Sequence, residues 1–155
     1  MSGATATERL AAAGLSLPPV TTPVAAYVPA VRTGNYVYTS GQLPFVDGKL
    51  QGTGKVGDGV APSEAAALAR TAALNALAAA ASVAGGLDAI TRIVKVTCFV
   101  ASAPSFTGQS QLANGASELL LEVFGDAGRH ARSAVGMAAL PLDTPVEVEL
   151  IAEVG

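Results

Sequence analysis

An α+β fold, one mixed β-sheet covered on one face by two helices, is the architecture this sequence predicts. Two stretches with helical patterning, 62–84 and 107–124, flank a β-branched run at 90–100, and strand-like pairs of segments stand at both ends of the chain. Nothing is left over to cover the second face of such a sheet, which makes self-association through it the simplest expectation. A length of 155 residues suits one full-sized core. The reading is therefore an N-terminal arm, 1–26, leading into a single domain, 27–155.

The arm holds a short helical stretch, Thr5 to Ala13, and then Gly14, Pro18, Pro19 and Pro23 as breakers. Tyr27–Val31 and Tyr36–Ser40 are β-rich runs around Gly34-Asn35, residues that tolerate the positive φ of a hairpin turn. Phe45–Leu50 resembles a short strand turning at Asp47-Gly48, and 52–59 reads as a glycine-rich loop. Pro62-Ser63 opens a helix, with Glu64 in the first turn where the helix dipole favours a carboxylate. Gly85-Gly86 stops it. Ile90–Val100 is rich in β-branched residues and reads as a central strand. A second helix is expected over Thr107–Phe124, with Leu112, Ser117, Leu119, Leu120 and Val123 inward. Two final strands then join at Leu140–Pro145.

Composition narrows the function. Half of the residues are hydrophobic, 14% are charged and the net charge is −3, so a cationic surface for phosphate backbones is not expected. The single cysteine, Cys98, cannot make an internal disulfide, and no Cys/His cluster has metal-ligand spacing. It reads as a small core residue, and a reducing, cytoplasmic setting is the expectation. No stretch near the N-terminus has a signal-peptide core. The alanine-rich run at 65–84 contains Arg70 and Asn75 and gains little from transfer to lipid, so a membrane span is a poor fit.

Scarce charge draws attention to the last two strands, which hold His130, Arg132, Glu147 and Glu149. Alternation places His130, Arg132, Ala134 and Gly136 on one face of their strand. In the final strand Val146, Val148, Leu150 and Ala152 suit the helix side, leaving Glu147 and Glu149 opposite. Both polar faces are expected to look away from the helices. An arginine by a pocket can bind a carboxylate through two parallel hydrogen bonds, and a nearby glutamate can orient or deprotonate water. The plainer alternative is that Arg132 pairs with Glu147 or Glu149 across neighbouring strands, a contact of ~0.5 kcal/mol.

Tyr38-Thr39-Ser40-Gly41-Gln42, the Ile93–Val100 strand, Ala131-Arg132-Ser133-Ala134-Val135, Leu140-Pro141 and Val146–Glu149 together resemble the RidA/YjgF family of reactive enamine/imine deaminases, over roughly Tyr27 to Glu153. The resemblance implies a chorismate-mutase-like fold of the bacillus type and a homotrimer with ligand sites in clefts between subunits. By motif it makes Arg132 the anchor of the substrate carboxylate and Glu147 the residue that positions the attacking water. It makes Tyr27, Ser40, Gly41 and Asn114 pocket residues. The implied substrate is a small carboxylate-bearing metabolite, and no metal or organic cofactor is implied.

Two residues depart from the family pattern. Ala134 stands where members usually have a cysteine, and His130 stands where simpler members have no histidine. A wider pocket is expected from the alanine, and His130 falls at its edge as a candidate acid/base or ligand contact. Tyr27, Ser40 and Asn114 have plainer roles open to them as well, in a strand, a turn and an exposed helix face. The leading expectation is hydrolytic deamination of enamine/imine intermediates to ammonia and a 2-keto acid. The rivals are a non-catalytic trimer that binds or senses a small acid at the same cleft, and an interaction protein whose apolar face docks another enzyme.

Overall fold

The computed structural model describes residues 3–20, 22–23 and 25–155. In chain order its elements are α1 (Ala6–Ala12), β1 (Ala30–Thr33), β2 (Tyr36–Thr39), β3 (Phe45–Val46), β4 (Lys49–Leu50), β5 (Lys55–Val56), β6 (Gly59–Val60), α2 (Pro62–Ala84), β7 (Ile90–Ala101), α3 (Gln109–Leu112), α4 (Asn114–Phe124), β8 (Ala131–Met137) and β9 (Val146–Val154). Five strands form the main sheet in the order β1-β2-β9-β7-β8. Only β7 and β8 run parallel in it. A parallel pair requires a crossover, and α3 and α4 provide it.

Hydrophobic periodicity explains most of the assignment. β9 alternates without interruption, with Val146, Val148, Leu150, Ala152 and Val154 buried. In β7 Val96, Cys98 and Val100 are fully buried and are the Cα partners of Leu150, Val148 and Val146. Against this layer lies the alanine face of α2, where Ala65, Ala69, Ala72, Ala73 and Ala76 have no exposed area. Alanine contributes little transfer energy per residue but lets the backbones approach closely. Leu77, Leu119 and Leu120 supply the bulk, about 1.5–3 kcal/mol each when fully buried. At Gly115 the approach of α4 to α2 is so close that a Cβ would overlap the Ala66 carbonyl. α2 is long and apolar enough to cross a membrane by length and composition, and it is the helix packed in this core.

Local signals end the elements where physics requires. Pro62 starts α2, and Gly85, at φ 94°, closes it with Gly86 N–H donating to Ala81 O. Gly34, at φ 57°, turns the β1–β2 hairpin. The expected helix over 107–124 is interrupted at Ala113, which separates α3 from α4. The stretch expected as a loop at 52–59 contains β5 and the start of β6. In the N-terminal segment α1 buries Leu10, which is 3% exposed, in the common core.

The face of the sheet away from the helices carries Val31, Tyr38, Ile151, Phe99, Val135, Met137 and Glu147, as the register requires. Val31 is 52% exposed, Tyr38 46% and Val135 41%. Among the described residues nothing covers this apolar surface.

Candidate functional site

Arg132 lies on β8, an edge strand, and its Cα partner on β7 is the buried Val96. This pairing corrects the sequence reading: Arg132 and Ala134 share the helix-covered face with Val96, Cys98, Leu150 and Val148, while Glu147, paired with Phe99, is on the other face. Alternation along a strand divides its residues into two sets, but the neighbouring strand decides which set faces inward. The alternative of a cross-strand Arg132–Glu147 or Arg132–Glu149 pair falls for the same reason. β7 lies between β8 and β9.

At the sheet edge the Arg132 side chain reaches α3 and α4. Nη1 donates to Asn114 Oδ1 at 2.8 Å and to Ser117 Oγ at 3.1 Å; Nη2 donates to Ser110 O and Ser110 Oγ, both at 2.9 Å. All four acceptors are neutral. Among the described residues no carboxylate lies within ion-pair distance of this guanidinium. Its charge is not neutralised by these partners, which suits an anion nearby, but its Nη N–H groups are engaged, so a carboxylate meets Nε–H or displaces one of the serine contacts.

His130 extends the network. Its Nδ1 is 2.6 Å from Gly128 O, and its Nε2 is 2.8 Å from Ser117 Oγ. A carbonyl only accepts, so Nδ1 carries the proton and, in the neutral ring, Nε2 accepts from the Ser117 hydroxyl. The hydrogen bonds therefore run one way, from Arg132 to Ser117 to His130 to Gly128. Burial lowers the His130 pKa, the Gly128 contact opposes this, and the Arg132 charge lowers it further. Asn114, Ser117, Leu121, Arg129, His130 and Arg132 line a cleft of about 240 Å³. Ala134 is not among its lining residues. It packs against the core instead, so the widening expected of it does not concern this cleft.

The other candidates form a second group. Tyr27, Gly41 and Glu147 line a cavity of about 420 Å³ together with Gln42, Pro141 and Leu142. Gly41 lies against the Glu147 carboxylate so closely that a Cβ there would overlap it. Burial raises the Glu147 pKa, and Glu149 adds to the rise. Ser40 is beside this cavity, but its hydroxyl donates to Val28 O at 2.6 Å, a turn-holding role. Cys98 is fully buried and its thiol is pushed up to about 12 by burial despite the Arg132 charge, as befits a core residue.

One chain thus brings Asn114, His130 and Arg132 together, and separately Tyr27, Gly41 and Glu147. The two cavities have no lining residue in common. Sequence reasoning missed Ser110 and Arg129 as neighbours of the site and assigned Ser117 to the apolar side of its helix. Ser117 stood three residues after Asn114, the spacing at which helix side chains are neighbours, and could have been found that way. Ser110 had no such signal. Among the described residues no group of three or more His, Cys, Asp or Glu side chains is placed to hold a metal.

Comparison with known proteins adds three similarities and one family match. Residues 7–154 match the family described as “YjgF/chorismate mutase-like, putative endoribonuclease”. Protein TCP17 of Trypanosoma cruzi is 45% identical over 141 residues, 90% of this chain and 88% of that protein. A crystal structure described as a putative endoribonuclease from Shewanella oneidensis superposes with a TM-score of 0.93 at 38% identity, over 97% of this chain and all of that one. The structure of Escherichia coli TdcF with bound serine aligns with a TM-score of 0.64 at 25% identity, over 88% of this chain and 94% of that one.

Proposed function

Starting from the fact that the chain belongs to the YjgF/chorismate mutase-like family, we propose that it hydrolyses reactive enamine/imine intermediates of small carboxylate metabolites. The observation that carries this reading is the Arg132 guanidinium, held by four hydrogen bonds to neutral oxygens and left without a carboxylate partner among the described residues. A 2-imino acid offers the missing anion. The serine bound to TdcF is a small amino acid, a ligand of related chemistry in a relative.

In the proposed reaction the enamine first tautomerises to the imine, and the carboxylate docks on Arg132. Water adds to the imine carbon, forming a C–O bond, while Glu147 takes a proton from the water and passes it to the nitrogen. Glu147 then carries the carbinolamine hydroxyl proton to the nitrogen, the C–N bond breaks as C=O forms, ammonia leaves and a 2-keto acid remains. Burial raises the Glu147 pKa, which makes its carboxylate a stronger base for such a proton exchange. Because Arg132 and Glu147 are on opposite faces of one sheet, the complete site in this reading lies between copies of the chain, in a homotrimer. The uncovered Val31, Tyr38, Val135 and Met137 surface supports that assembly.

The test generates 2-iminobutyrate in situ from an amino acid with an oxidase and follows 2-oxobutyrate release against the spontaneous rate. Acceleration is expected for the native chain and its loss for Arg132→Ala, with the oligomer intact by light scattering. Failure to accelerate any of several imines would sink the reading. A second reading, a non-catalytic small-acid binder, is favoured by one observation: within the chain Glu147 is on the opposite face of the sheet from Arg132. In that case 2-keto acids raise the melting temperature without any turnover of imines.

A further inference from the structure

The cleft beside Arg132 holds more positive charge than one carboxylate needs. Its lining includes two arginines, Arg129 and Arg132, and among the described residues no Asp or Glu. The chain has only nine Lys and Arg residues and a net charge of −3. Gathering two of the nine at a small cleft without an acid in its wall, with only the exposed Asp126 beside Arg129, favours a bound anion.

We propose that the ligand of this cleft carries two acidic groups: a 2-imino acid with a second, distal carboxylate or similar anion. Arg132 takes the carboxylate beside the imine carbon, and Arg129 takes the distal group. This rests on the reading of Arg132 as the carboxylate anchor.

The neighbours of Arg129 favour its recruitment. Its contact with Asp126 is 3.5 Å long, and the two side chains are 73% and 99% exposed, so the pair is weakly held and can open. The acidic residues on α4 do not compete. Glu118 and Glu122 are outside the lining, and Glu122 is engaged by Arg70 at 2.8 Å. His130 is disfavoured as a third cation, because burial and the Arg132 charge both lower its pKa. Leu121 provides an apolar wall, and a short aliphatic spacer between two acidic groups would lie against it. Asn114 and Ser117, already bonded to Arg132, hold the proximal anchor in place.

The experiment measures the binding of two keto acids to the full chain by calorimetry at low salt, 2-oxobutyrate with one carboxylate and 2-oxoglutarate with two. The native chain is expected to bind 2-oxoglutarate about ten-fold more tightly, the effect of one added charge-assisted hydrogen bond at a partly exposed site. Arg129→Gln is expected to bring the ratio of the two affinities to near one, and Arg129→Lys to leave an intermediate ratio. Equal binding of the two acids by the native chain, or a preference that survives Arg129→Gln, overturns the proposal. Should 2-oxobutyrate bind with the same affinity to Arg132→Ala, the anchor reading falls and this inference falls with it. If 2-oxobutyrate binding depends on Arg132 and 2-oxoglutarate is not preferred, only the second acidic group is refuted.

Discussion

Ser117→Ala is the substitution that asks most of the network around Arg132. Its hydroxyl accepts from Arg132 Nη1 at 3.1 Å and, in the neutral state of the histidine, donates to His130 Nε2 at 2.8 Å. Alanine removes both bonds and leaves a half-buried ring nitrogen without a partner. A hydrogen bond to a charged group contributes about 1.5–3 kcal/mol and a neutral one about 0.5–1.5 kcal/mol. Water can reach the partly exposed guanidinium and replace some of the loss, so a net cost of about 1–2 kcal/mol is expected. In a domain of this size that corresponds to a melting temperature lower by ~3–6 °C. Carboxylate binding should suffer beyond this, because Nη1 keeps only Asn114 to orient it. Scanning calorimetry and 2-oxobutyrate titration measure the two effects, and Ser117→Thr, which keeps the hydroxyl, should restore much of both. A melting temperature and an affinity equal to those of the native chain would show that the chain of bonds from Arg132 to Gly128 does not hold the arginine.

Two further predictions concern charge and close contact. The His130 pKa is lowered in the folded chain, so the unfolded chain binds more protons at acidic pH and stability is lost as pH falls below the ordinary histidine value of 6.5. Melting curves between pH 7.5 and 5 should therefore show a decline in the native chain that is shallower in His130→Asn, and equal slopes would contradict the assignment. Gly41→Ala places a methyl group against the Glu147 carboxyl, the movable end of a side chain, and Gly41 does not have a positive φ. The melting temperature should fall by only ~2 °C or less, since a flexible side chain can yield, whereas imine hydrolysis should drop by at least ten-fold; full activity in this variant would remove Glu147 from the mechanism.

Much of the architecture was legible because the signals were local. The alternation in Val146–Val154, the alanine run ended by Gly85-Gly86 and the Gly34-Asn35 turn each specify an element through a few neighbouring residues. The break at Ala113 was not legible, since Leu112, Ala113 and Asn114 carry no strong helix breaker. At the site, Arg132, Asn114 and His130 were identified and do meet. Ser110 was not, because it approaches Arg132 through a backbone carbonyl and a hydroxyl from a segment 22 residues away.

The sequence by itself determined which residues of each strand point the same way: Arg132 with Ala134, Glu147 with Glu149. Parity is a property of the extended backbone and needs no partner. Which parity faces the helices was decided only by the tertiary structure, through the insertion of β7 between β8 and β9 and the pairing of Val96 with Arg132 on one side and Leu150 on the other. That pairing turns Arg132 toward α3 and α4 and away from Glu147 and Glu149.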